Sequence, residues 1–221
     1  MTADSVNTAY SDGESVDGGA ITITGSHAEN YSDQSTRANL GAGAKITAKS
    51  VSLQATNKQT MDTKSEALSF GLATGAGALG KNTAIGDAKV GVGAGAEITA
   101  VNINVVARNA FLKDHFGVNL QSASASLFGV TALLSDTDVG TNSDDFEATI
   151  DIAAGAKLTS AKQQRRCLGL LRMETFTDIR AIDKVETEAY GLGGVSLGFS
   201  EVSVDSKSKI NVTGATIKSN A

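Results

Sequence analysis

The chain of 221 residues contains no proline and no tryptophan. Proline removes a ladder N–H, so its absence leaves every segment open to uninterrupted β-pairing. Aromatic residues are only 5% of the chain, which excludes a wide core of large rings. Ala, Gly, Thr, Ser and Val dominate instead, and small or β-branched residues suit thin, closely packed strands. The single cysteine, Cys167, excludes an internal disulfide framework and has no partner thiol for a redox role. No run of about 18 apolar residues occurs, so nothing reads as a transmembrane helix. The opening stretch MTADSVNTAYSDGESVDGG lacks the basic and apolar regions of a signal peptide. A net charge of −5, from 19 Lys and Arg against 24 Asp and Glu, argues against nucleic acid as a partner.

What the chain has is a recurring phrase. GAGAKITA at Gly41 to Ala48 returns as GAGAEITA at Gly93 to Ala100. AAGAKLTS occupies Ala153 to Ser160, and TGATIKS sits at Thr213 to Ser219. Aligned on Gly43, Gly95, Gly155 and Gly214, the steps are 52, 60 and 59 residues. A fixed phrase at a near-regular period marks a repeat architecture. In each copy the glycines read as a corner and KIT, EIT or KLT as a short strand.

The segments between the phrases alternate with period two. ITITGS (Ile21 to Ser26) is the first such strand, after a polar lead-in over 1–19 and before a solvated stretch, His27 to Asn39. VSLQAT puts Val51, Leu53 and Ala55 on one face, and VNINVVARN does the same with Val101, Ile103 and Val105. DIRAIDKVETEA places Ile179, Ala181, Val185 and Thr187 opposite Asp178, Arg180, Lys184 and Glu186. Three small apolar runs, starting at Ala67, Ala123 and Tyr190, read as strands covered on both faces. Ser135 to Asp145 reads as an acidic loop. The pattern predicts an all-β protein: a single β-solenoid over 20–221, built of 52–60-residue repeats and right-handed. With coils of about 20 residues, each repeat would hold two or three of them. The alternative is a series of β-sandwich-like repeats.

One segment breaks the pattern. KQQRRCLGLLRM, at 162–173, has no alternation and the composition of a helix. It reads as an inserted helix or loop, or as a basic contact site. Alternatively, two compensating frame changes have replaced a strand. Read from the third base of each codon, with Leu as CTN and Arg as CGN, Ala161 to Phe176 permits Thr or Ala, then Ser, Thr, Ala or Pro, then Val, Leu or Met, then Ser or Pro. Further on it permits Asn or Asp around Gly, close to the vocabulary of the other units.

The strongest metal candidate is DTDVGTN, with Asp136, Asp138, Asn142 and Asp144 as ligands. Calcium takes six to eight oxygens, roughly, and D-x-D-x-G-x-N offers oxygens at alternate positions around a glycine turn. The full EF-hand spacing is missing, and Asp, Asn and Gly also favour an ordinary solvated turn. His27 and His115 lie far apart without cysteine nearby, which disfavours zinc. No G-x-S-x-G elbow occurs. GLATGAGALGKNT (Gly71 to Thr83) resembles a phosphate loop, but Asn82 stands where Ser or Thr must follow Lys81. No catalytic or cofactor-binding residues are identified. The charges are scattered and mixed in sign, whereas a polysaccharide-cleaving β-helix needs converging carboxylates.

GAGAKITAKSVSLQATNKQT and GAGAEITAVNINVVARN resemble the repeats of very large bacterial surface adhesins, of the filamentous-haemagglutinin, autotransporter-passenger and leukotoxin-like type. The likeness extends over roughly Gly18 to Ser160 and Asp178 to Ala221. It implies a secreted β-helical shaft displayed at the cell surface beyond the outer membrane. It further implies partners among glycans or proteins of host or neighbouring cells, and no catalytic residues. The family's secretion domain, signal peptide and anchor have no counterpart here, so the chain reads as a fragment or a frame-disrupted product. The alternatives are a carbohydrate-active β-helical enzyme and a calcium-stabilised surface-layer segment. Uncapped coil ends also predict self-association. Independent sequencing of the gene tests the frame-change reading, which expects a disturbed frame around 161–176; an undisturbed frame leaves the insertion.

Overall fold

In a computed structural model, described over residues 1–141, 144–161 and 169–219, the chain is all-β and all its strand pairing is parallel. Eleven strands form one sheet: β1 (Thr2–Leu40), β2 (Lys45–Val92), β3 (Glu97–Lys113), β4 (Leu120–Val139), β5 (Phe146–Ile152), β6 (Lys157–Ser160), β7 (Leu170–Ala181), β8 (Val185–Tyr190), β9 (Gly193–Val204), β10 (Ser206–Val212) and β11 (Thr216–Ser219). Thr2 to Leu40 pairs with Gln54 to Val92 at a constant spacing of 52 residues. Lys45↔Glu97 and Glu97↔Lys157 continue the stack at spacings of 52 and 60.

Each repeat is therefore one coil of the solenoid. The expected coils of about 20 residues do not exist. The corner at Lys49–Ser50 only turns the short side of the coil into its outgoing side, and at Asn57 the chain runs on as strand. The polar lead-in, 1–19, is likewise the outgoing part of the first coil.

Every coil has a broad base and a long flat arm. The base encloses an apolar core contributed by three sides. Ile46, Ile98, Leu158 and Ile217 come from the short side. Val51, Leu53, Ile103, Val105, Leu171 and Met173 come from the outgoing side, and Val90, Val92, Ile150 and Ile152 from the returning side. The faces predicted for Val51–Ala55 and for Ile103 and Val105 both point into this core, whereas Val101, expected on the same face, is only half-buried and stays outside it. Beyond it the chain runs out, reverses and returns against itself. Asn7 Nδ2 donates to Ser32 Oγ at 2.8 Å, Ser11 Oγ donates to Asn30 Oδ1 at 2.6 Å, and the Ser15 and Thr24 hydroxyls lie 2.5 Å apart.

The corner that closes each coil is a tight turn. Ala44 N donates to Gly41 O, Ala96 N to Gly93 O, and Ala156 N to Ala153 O. The third residue of each turn has positive φ, 68° at Gly43, 67° at Gly95 and 73° at Gly155, as a type II turn requires. Gly214, at 57°, holds the equivalent place in the fourth phrase. No neighbour crowds Gly43 or Gly95, so their requirement is conformational.

Length differences between coils are absorbed in loops that leave the ladder register intact. The spacing is 52 at Thr60↔Leu112 and 55 at Ser65↔Leu120, so the third coil has three extra residues between Lys113 and Leu120. They fold down over the buried Asp62 of the coil below. Its carboxylate accepts hydrogen bonds from the backbone of Thr63, His115 and Phe116 and from Asn119 Nδ2, at 2.5–3.0 Å. The His115 ring then reaches the first coil and stacks on Tyr10 at 3.8 Å. Between Ser160 and Leu170 the fourth coil carries nine residues where the third has Val101 alone. Of the segment expected to be helical, 162–168 lies outside the described residues. Leu170–Met173 is strand, because it continues the ladder on Asn102–Val105 and buries Leu171 and Met173 against the core.

Gly95→Ala is expected to destabilise the chain by ~1–2 kcal/mol, the strain of a left-handed non-glycine residue. Asp62→Ala orphans several buried donors and is expected to lose about 3 kcal/mol or more. Gly41→Ala, at an open position without positive φ, is the neutral control in the same urea titrations.

Candidate functional site

In the arm, stacking fixes which side chains share a column, and the columns are unusual. Many positions facing inward are polar: Asn57, Gln59, Ser69, Asn82, Asn109, Ser122, Ser124, Thr131, Ser135 and Thr137 are all buried, between two small apolar clusters around Phe111 and Leu133. Amide ladders connect the coils, with Asn57 Nδ2 donating to Asn109 Oδ1 at 3.0 Å and Asn30 Nδ2 to Asn82 Oδ1 at 3.2 Å. Lys113 is completely buried and pairs with Asp183 of the fourth coil. It also donates to Thr137 Oγ1 at 2.8 Å, and Ser135 and Ser200 donate to the Asp183 carboxylate at 3.0 Å.

The outer face of the arm near its tip is correspondingly apolar. Phe70, Leu72, Leu127, Phe128, Val130 and Leu134 are all exposed. The small apolar runs are thus covered on one face only, correcting the expectation of cover on both. Their inward positions hold mostly Ser, Thr, Gly or Ala, with Leu133 buried against Leu120 as the exception, and the other bulky residues face outward. The stretch that resembles a phosphate loop lies within β2, with Asn82 buried and donating to Thr63 Oγ1.

A polar cleft of about 350 Å³ lies on the returning side near the base. Asp87, Glu147, Lys89 and Arg37 line it, together with Asp33, Asp144 and Asp145. Stacking turns these residues into a ladder of alternating charge. Lys89 Nζ lies 2.7 Å from Asp87 and 3.6 Å from Glu147, Arg37 lies 3.5 Å from Asp87, and Lys209 lies 3.3 Å from Glu147. Lys207 pairs with Asp145. Burial pushes the Asp87 carboxyl up, but hydrogen bonds from Lys89 and Ser35 outweigh it and hold the group below its ordinary 3.8. Burial raises Glu147 as well, and Thr149 and Lys209 bring it below 4.5. The hydrogen bond to Asp87 raises Lys89.

The metal candidates are placed differently from the expected loop. Asp136 and Asp138 stand on β4, because Ser135, Thr137 and Val139 continue the inward alternation through that segment. Asp136 lies 3.7 Å from Lys81 of the coil below. Asp138 is pushed up by burial and by the neighbouring Asp136. Asp144 is in the following turn, where its N–H donates to Thr141 Oγ1 at 3.1 Å. Asn142 lies outside the described residues. Among the described residues, no three or more His, Cys, Asp or Glu side chains gather as ligands for a metal ion. His27 lies beside Glu29, and His115 belongs to the clamp on Asp62.

Sequence reasoning missed the Lys113–Asp183 pair and the Asp62 clamp. The signal for the first was present: in FLKDHF, Lys113 has the same parity as the buried Phe111. No protein-family model, curated protein or solved structure matches the chain.

The charge ladder sets a pH window. Asp87 and Glu147 titrate lower when folded, so their contribution is full above pH values of about 4.5 and is lost as pH falls further. Lys89 titrates higher when folded, so its contribution is full below about pH 10 and is lost above it. Lys89→Met is expected to cost about 0.5–1 kcal/mol at neutral pH, because the ladder is partly exposed. It should also make the acid-side fall in Tm shallower, as followed by calorimetry from about pH 6 to 3.

Proposed function

We propose that the chain is a non-enzymatic structural and adhesive segment of a large, surface-displayed bacterial repeat protein. The observation that carries this reading is the ladder of paired charges along the coils. Asp87, Glu147 and Asp145 each lie beside a lysine or arginine supplied by their own or an adjacent coil. Such pairs neutralise one another as the coils stack, whereas catalysis needs ionisable groups held toward a shared point. The likeness of the GAGAKITA repeats to filamentous-haemagglutinin-type adhesins agrees with it.

The dimensions refine the role. Each coil adds about 4.8 Å along the axis, while an arm of some twenty residues reaches out about 65 Å. A stack of this kind is a blade, which gains lateral surface faster than length. Its function is the presentation of broad flat faces to glycans or proteins on other cells, with reach supplied by the number of coils.

Beads coated with the chain are expected to adhere to host-cell or bacterial monolayers, saturably and in competition with free chain. No adhesion to any cell type overturns the adhesive part of the proposal. New reducing ends in polysaccharides incubated with the chain would favour the β-helical enzyme. A rise in Tm on adding calcium, lost with Asp136→Asn, would favour the calcium-stabilised segment.

A further inference from the structure

We propose that the apolar outer strip beside the arm tip is a self-complementary contact through which two copies of this chain pair side by side. The strip crosses all four coils on the returning side. Ile21 and Ile23 are 81% and 84% exposed, and Phe128 and Val130 are 68% and 54% exposed. Behind them the inward positions are polar, with Thr22, Thr74 and Thr131 buried. This segment therefore has its apolar face toward solvent, and a contiguous apolar face of this kind marks an interaction surface.

The sizes of the side chains identify the occupant. Register places Ile21, Ala73, Phe128 and Gly193 in one column, and Ile23, Gly75, Val130 and Val195 in the next outward one. The first column thus runs ridge, valley, ridge, valley and the second ridge, valley, ridge, ridge, and the valley around Ala73 and Gly75 is a groove of about 780 Å³. A two-fold axis parallel to the strands reverses the order of the coils and keeps the position along each strand. The first coil then faces the partner's fourth, and the second faces its third. Phe128 comes over Ala73, Val130 over Gly75 and Ile21 over Gly193, while Ile23 meets Val195 and Leu79 meets Leu134 as apolar ridge against ridge. Lys81 comes opposite Asp136, a charge-matched pair at the edge of the strip. Glu29 and Glu201 meet only at the rim, where twisted sheets diverge and water screens them. Reading the same columns in reverse order is what makes the contact isologous, so it closes at two copies.

The contact has moderate area. Four coils at about 4.8 Å by some eight residues at about 3.3 Å give about 500 Å² per copy and about 1,000 Å² per pair, the threshold of a specific interface. The pair is accordingly expected to form in the micromolar range.

Sedimentation equilibrium of the full chain across micromolar concentrations should show monomer and dimer, with no larger species. Gly75→Val is the decisive variant. A Cβ there meets Ile23 at an ordinary 3.7 Å, so the monomer tolerates it, yet it fills the valley that receives Val130. It should weaken the dimer about tenfold or more, with Tm unchanged. Adding Val130→Gly exchanges ridge and valley and should restore pairing. Ala132→Glu, exposed at the centre of the strip, should also abolish the dimer and serves if Gly75→Val fails to fold. The proposal is overturned by a chain monomeric up to about 1 mM, well above the range expected for this area. It is equally overturned by a dimer indifferent to Gly75→Val and Ala132→Glu. Open-ended growth with concentration would assign association to the coil ends instead. Flotation of a monomeric chain with phosphatidylcholine vesicles would assign the strip to lipid.

Discussion

The parallel ladder between coils is the constraint on which the structure depends. Most arm residues of the two inner coils pair with the coils above and below, so inward or outward parity passes from coil to coil. A one-residue slip would turn the apolar base core outward and the polar arm columns inside out. Length changes are consequently confined to places where the ladder can open and close again: after Lys113, after Val139 and after Ser160. Each opening needs its own restraint. Asp62 holds the first by accepting from backbone amides of the inserted loop. Asp205, a single residue between β9 and β10, meets the second opening, with its N–H donating to Val139 O and its carbonyl accepting from Phe146 N.

Base and arm are stabilised by different physics. The base is a small hydrophobic prism, in which Ile98, Leu53, Val105 and Ile150 are almost fully buried. In the arm two small apolar clusters, one around Met61, Phe111 and Phe146 and one around Leu120 and Leu133, alternate with buried amides and hydroxyls. Amide ladders suit this place because a stacked Asn donates to the same atom type one coil away. A buried lysine fits only because the fourth coil supplies Asp183 and the third supplies two hydroxyls. Removing one partner of such a pair is far more damaging than replacing both by apolar residues.

The corners and the base were legible in the sequence because both leave local signatures. The four aligned glycines are the four positive-φ corner residues, and Val51, Leu53 and Ala55 alternate as a half-buried strand must. The faces of the fourth coil, with Ile179, Ala181 and Val185 inward, were legible for the same reason. Coil size was not legible. A period of 52 residues is compatible with one long coil or several short ones, and only the ladder partners decide between them. The arm's inversion was hidden too, since a buried column of Ser, Thr and Asn has the composition of a solvated face. For the same reason the acidic segment read as a loop when Asp136 and Asp138 are the outward half of a strand. The Asp62 clamp depends on a loop from the next coil, which no local pattern around Asp62 announces.

The inverted arm also explains why the outer faces differ from coil to coil while the base repeats closely. Each base position is fixed by volume, since a larger residue in a packed prism forces strain. An outward arm position is bounded by solvent, so only its two column neighbours constrain it. The column that reads Ile21, Ala73, Phe128 and Gly193 spans the whole range from glycine to phenylalanine. A base column reads Leu40, Val92, Ile152 and Val212, a much smaller range. Relief can therefore vary on the blade without disturbing the stack beneath it. A fold divided in this way keeps its period in the base and is free to place recognition on the arm.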